Sequence, residues 1–151
     1  MNPYGALLRR VGPTRPFASI ASRVLFRIDR LFPFSGLGTG LPLCYVTVKG
    51  RKSGEPRTIP LLHARADGDG IVLSAGNWGR RSHPSWSTNL DANPDVTVRT
   101  RGVERPMHAR RATPAERERY WPRLLKAWPA YEQYQARSGR EWRIYVLEPT
   151  D

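Results

Sequence analysis

A chain of 151 residues with a formal charge of +12 and a pI near 11.0 fits one domain, long enough to bury roughly two-thirds of the surface its unfolded form exposes. The single cysteine, Cys44, excludes an internal disulfide and any cysteine-rich zinc site, and His63, His83 and His108 are too scattered for a spaced metal motif. Arginine supplies nearly all the positive charge, since Lys49, Lys52 and Lys126 are the only lysines among 25 basic residues; such a surface attracts nucleic acid, anionic lipid or a phosphorylated or carboxylate-rich small molecule without choosing among them.

Residues 1–16, with Pro3, Pro13 and Pro16 among them, read as a lead-in. From Phe17 apolar residues fall at helical spacing (Phe17, Ile20, Val24, Leu25, Ile28, Leu31, Phe32) with Arg23, Arg27 and Arg30 opposite. The spacing predicts an amphipathic helix over 17–32, laid either across the domain or on an anionic membrane surface. No stretch approaches about 18 apolar residues, so a cytoplasmic protein, soluble or peripheral on the inner face of the membrane, is expected. The division is therefore 1–40, lead-in and helix, and 41–151, the folded domain.

The middle of the chain reads as sheet. "LCYVTVKG" alternates, with Cys44, Val46 and Val48 on one face; "RTIPLLHARA" follows the Gly50–Gly54 turn, and "GIVLSAG" follows Asp67-Gly68-Asp69-Gly70. His83-Pro84 opens a short helix, with Pro84 at the first helical position, that closes at Asn93-Pro94 and carries Trp86, Asn89 and Leu90 on one face. "DVTVRTRG" and "ERPMHARRA" pair around Gly102. Thr113-Pro114-Ala115-Glu116 is a capping box. Pro122 and Pro129 are expected to break or kink the helical stretch beyond it into two short helices, the second ending at Gly139, before the strand "WRIYVLEP". Six mostly antiparallel strands with helices inserted between them predict a small α+β barrel.

Two stretches carry candidate chemistry. In Gly50-Arg51-Lys52-Ser53-Gly54, two glycines offer positive φ, while Arg51, Lys52 and Arg57 can converge on one anion; the same residues also suit a plain solvated hairpin tip. The turn lacks the spacing of a P-loop and lies between strands. In "SAGNWGRRSHPSWSTNL", Gly76 at a strand end lets a flat ring lie against backbone, beside Arg80 and Arg81. Tyr and Trp fall mostly at core-like spacing rather than interleaved with cations on one face, which argues against nucleic acid.

Taken together, "TVKGRKSGEPRTIPL", "SAGNWGRRSHPSWSTNLDANPDVTV" and "WPAYEQYQARSGREWRIYVLEP" resemble the deazaflavin-dependent nitroreductase family of split β-barrel oxidoreductases, in order and spacing, from about Cys44 to Pro149. The resemblance implies coenzyme F420, an 8-hydroxy-5-deazaflavin whose tail bears a phosphate and glutamates, and a hydride passed to a small planar acceptor such as a quinone, enone or nitroaromatic. It implies that Arg51, Lys52 and Arg57 contact the phosphate with Asn89 nearby, and that Pro60, Leu62, Ser74, Ala75, Gly76 and Asn77 line the ring, buttressed by Trp86. Tyr131 and Tyr134 become candidate catalytic residues, and with Trp128 candidate substrate contacts. Asn77, Leu62 and Trp128 stand where nitro-reducing relatives carry lysine, an aromatic and tyrosine. The alternatives within the same fold are flavin mononucleotide (FMN) as cofactor and a non-catalytic carrier of F420, FMN or lipid. A monomer is expected, because the N-terminal helix covers a face that relatives use for dimer pairing.

Overall fold

A computed structural model describes residues 41–150, so the expected lead-in, the helix over 17–32 and its membrane face lie outside the described residues. Strands β1 (Leu43–Lys49), β2 (Pro56–Arg65), β3 (Ile71–Ser74), β4 (Asp95–Thr100), β5 (Val103–Arg111) and β6 (Ile144–Pro149) close into a barrel in the order β1-β2-β3-β6-β5-β4. Every pairing is antiparallel. A closed barrel leaves no open sheet edge, and each strand therefore carries an inner and an outer row of side chains.

The inner row follows the alternation expected of β1: Cys44, Val46 and Val48 join Leu73, Val98, Met107, Tyr145 and Leu147 in the interior. The β3 strand is buried on both faces, with Leu73 inside and Val72 outside under the helices. Full burial of an apolar side chain of this size contributes about 1.5–3 kcal/mol. Between β4 and β5, Arg101 (φ 48°) and Gly102 (φ 79°) form the two-residue turn whose backbone twist matches the strands it joins.

Three helices decorate the barrel: α1 (Ser85–Ala92), α2 (Pro114–Ala127) and α3 (Tyr131–Ser138). The capping box forms as the sequence implies, with Thr113 Oγ1 accepting from the Glu116 N–H and the Glu116 carboxylate accepting from the Thr113 N–H. Two local expectations are corrected. Pro84 is the residue before the first helical one, in extended backbone, and α2 runs unbroken through Pro122 until Trp128 leaves helical geometry. Tertiary packing overrides the proline: Tyr120 and Leu124 on either side of it are buried against the outer face of β2, β3 and β6. The second helix does end at Gly139, whose left-handed conformation (φ 62°) suits glycine.

Candidate functional site

The basic turn is closed by its own backbone, with Gly50 N–H bonded to Glu55 O at 2.8 Å and Gly54 N–H to Gly50 O at 2.8 Å. Only Gly54 takes positive φ (72°), so the expectation of two left-handed glycines is half corrected. Gly50 is required for space instead: a Cβ there would lie 2.6 Å from Ser53 Oγ and 3.5 Å from Arg57 Nε, which also places the Arg57 guanidinium over the turn. From α1, the buried Asn89 accepts the Arg51 backbone N–H through Oδ1 at 3.2 Å, and Asn93 donates to Lys49 O at 3.1 Å. The helix thus braces the turn from beneath. Arg51, Lys52 and Arg57 themselves are exposed, and none makes an ion pair among the described residues.

Strand β2 leads away from this turn. At about 3.3 Å of rise per residue, Arg57 and Leu62 stand about 16 Å apart along it. Pro60 and Leu62 are half-buried, and Leu62 packs against the aromatic layer of α2 and α3. Beside them, at the end of β3, Ser74 is buried with its hydroxyl unpartnered, an orphan polar group of the kind that a ligand or water satisfies. The face of Gly76 is already taken: a Cβ there would come within 2.5 Å of the Trp142 indole, so the flat ring that lies against this backbone belongs to the protein.

Beyond Gly76 the chain turns left-handed through Asn77 (φ 47°), Trp78 (φ 57°) and Gly79 (φ 75°). Asn77 spends its amide on Ser82, donating to the carbonyl at 2.8 Å. One side chain organises this loop, and sequence reasoning missed it. Arg140 donates to the carbonyls of Ala75 (3.0 Å), Gly76 (3.3 Å), Arg80 (3.2 Å) and Ser82 (3.3 Å) and faces His83 Nδ1 at 3.1 Å. Partial desolvation and then the charge of Arg140 lower the His83 pKa, which keeps that nitrogen an acceptor. No local pattern could announce Arg140, because its partners lie 57 to 65 residues upstream.

The aromatic wall comes from α3 and its approach. Tyr131 meets Trp142 edge-on at 5.5 Å, Tyr134 meets Trp78 at 6.3 Å, and Trp128 is buried in the same layer as Leu62. Burial pushes both tyrosine hydroxyls above their ordinary range; for Tyr134 the Trp128 indole and the Arg137 charge pull the other way. Both are therefore protonated near neutral pH. Trp86 sits elsewhere, buried against Tyr145 at 5.8 Å in the barrel interior, where it anchors α1 rather than lining a groove.

The structure thus brings the expected residues together in two groups: Arg51, Lys52, Arg57 and Asn89 at one end of β2, and Leu62, Ser74, Ala75, Gly76, Trp128, Tyr131 and Tyr134 around the other. A cavity of about 780 Å³ lies outside both, between α2, α3 and the entry to β6; it shares only the Trp142 wall with the second group. Among the described residues no cluster of His, Cys, Asp and Glu could hold a metal ion, and no helix is long and apolar enough to cross a membrane.

A family model described as F420H(2)-dependent quinone reductase matches residues 32–149. The chain belongs to that family. An F420H(2)-dependent quinone reductase of Mycobacterium tuberculosis is 32% identical over 114 residues, 70% of this chain and 72% of that one. Among solved structures, an F420-H2 dependent reductase is 33% identical with a TM-score of 0.65, covering 71% of this chain and 94% of its own. Another, described as a domain-swapped dimer, is 28% identical with a TM-score of 0.65, covering 88% of this chain and 99% of its own. The family places the chain among split-barrel F420 enzymes, in agreement with the six-stranded closed barrel.

Proposed function

We infer that the protein is an F420-dependent oxidoreductase that reduces quinones. The observation that carries the reading is the arrangement along β2: a braced turn of unpaired cations at one end, and an unpartnered buried hydroxyl under an aromatic wall at the other. An elongated molecule with an anionic tail and a flat head meets both requirements. Reduced F420, when bound, supplies a hydride as an obligate two-electron donor.

The chain's own residues then have four tasks. Arg51, Lys52 and Arg57 hold phosphate and the first tail carboxylates, each charge-assisted bond contributing roughly 1.5–3 kcal/mol. Asn89 keeps the Arg51 amide, and so the turn, in place. Ser74 offers its hydroxyl, and the strand end around Ala75 its backbone, to the polar edge of the ring, while Leu62 and Pro60 exclude water from its face. Tyr131 and Tyr134, held protonated by burial, donate hydrogen bonds to the acceptor oxygen that becomes negative as it receives the hydride. A raised tyrosine pKa makes a good donor of a hydrogen bond and a poor donor of a proton, so the proton that completes the hydroquinone comes from solvent.

Small planar quinones are the substrate class, the protein works as a monomer, and it resides in the cytoplasm, with residues 17–32 free to meet an anionic membrane surface. Titration with oxidised F420, followed by its fluorescence and repeated with FMN, tests the reading. Micromolar or tighter F420 binding at low salt, with FMN weaker, is expected; no F420 binding defeats the proposal, and preference for FMN replaces the cofactor. Liposome co-sedimentation of the full chain against a form beginning at Pro42 tests the membrane contact, which equal partitioning would reject.

A further inference from the structure

We propose that Trp78 is a specificity-determining residue for the electron acceptor, an indole platform that the left-handed turn holds at the mouth of the site for a flat, fused-ring quinone. The proposal rests on the functional reading above, which puts the acceptor between the β3 strand end and the tyrosines of α3.

Two independent observations single out Trp78. It is 39% exposed, and with Val103 it makes up the exposed large hydrophobic residues among those described. It also has φ 57°, between Asn77 at 47° and Gly79 at 75°. Asparagine and glycine tolerate this region, whereas a left-handed conformation costs other L-residues about 1–2 kcal/mol. A large aromatic side chain at such a position is strained, and its neighbours over-determine it. Gly79 N–H bonds to Gly76 O and Arg80 N–H to Asn77 O, both at 3.0 Å. Arg140 holds the carbonyls of Gly76 and Arg80, on either side. A Cβ on Gly79 would lie 3.0 Å from Tyr134 O, so the turn is pressed against α3.

The strain fixes where the indole goes. Its ring stands edge-on to Tyr134, with centroids 6.3 Å apart and planes at 64°, so one edge is anchored while the rest faces solvent two residues from Gly76. An electron-rich indole face is suited to stack on an electron-poor quinone, and its area favours two fused rings over one. For a purely structural turn, asparagine or glycine at this position would serve better.

Steady-state reduction of menadione and of 1,4-benzoquinone by F420H2 tests the proposal in Trp78→Asn, which tolerates the left-handed backbone, and in Trp78→Phe. In Trp78→Asn the KM for menadione is expected to rise about five- to tenfold, the range of a lost aromatic contact. The KM for benzoquinone should change less than about twofold on the same grounds, because one ring covers less of the indole. The kcat with menadione and the Kd for F420 should stay at wild-type values, the thermal midpoint should not fall, and Trp78→Phe should recover most of the lost affinity. An unchanged menadione KM in Trp78→Asn overturns the proposal. So does a Kd for F420 that weakens by the same factor, or a fall in thermal midpoint with uniform loss of activity. Wild-type protein that binds no F420 instead defeats the cofactor reading, and this proposal with it.

Discussion

The two ends of β2 are built on opposite principles. At the basic turn the groups offered to a ligand are exposed and free of ion pairs, and the structure is held by backbone bonds and the Asn89 brace. At the β3 strand end the candidate groups are themselves core: Ala75 is fully buried, Tyr131 and Tyr134 lie under 10% exposure, and Trp142 fills the space above Gly76. Binding and folding are thus separable at the turn and entangled at the aromatic wall. A loss of activity on substitution means something different at each end.

The strongest test of that contrast is Gly76→Ala, which drives a methyl group into the buried Trp142 ring; overpacking of this kind costs about 1–3 kcal/mol, read as a lowered urea midpoint. Unchanged stability would mean that the wall is looser than its packing implies. At the other end, Arg51→Ala and Lys52→Ala should each weaken F420 binding by about tenfold or more, one charge-assisted bond, with the denaturation midpoint unmoved. Equal affinity in both variants would return the turn to plain solvated structure. Asn89→Ala should blur the contrast. Losing the bond to the Arg51 N–H removes about 1 kcal/mol of stability and loosens the turn, so F420 affinity falls by less than in the charge variants. Raising the salt concentration should weaken F420 binding and leave quinone KM nearly constant, since exposed cations are screened and an apolar wall is not.

The smallest effect concerns acid. Arg110, with help from the capping bond to Thr113, holds the Glu116 carboxyl down to about 2. A depressed carboxylate stabilises fully above its ordinary value near 4.5, and that contribution is lost as pH falls from there toward 2. Glu116→Gln should therefore flatten the acid limb of the stability curve. Hydrogen exchange at pH 3 should show the loss in α2 and α3 before the β1–β2 turn.

Much of this was legible in the chain. The alternation Cys44, Val46, Val48, the turn signals at Gly50–Gly54 and Asp67–Gly70, and the capping box at Thr113 each depend on neighbours a few residues away, and all formed. Pro122 misled because local propensity argues for a break, whereas packing of Tyr120 and Leu124 carries the helix through. The glycines misled in a subtler way. Gly50 and Gly76 serve close approach rather than positive φ, and the atoms that approach them become visible only in three dimensions.

By itself, the sequence determined the six strands, the helices and their caps, the cationic turn and, through its ordered motifs, the F420 family. The tertiary structure alone decided that Trp142 occupies the face of Gly76, that Arg140 ties five residues of one loop, that Asn89 serves the turn through its backbone, and that Trp78 is left outside. The hydrogen bonds of Asn89 and Arg140 join groups 38 to 65 residues apart, where spacing along the chain carries no information and only the closure of the barrel brings the partners within bonding distance.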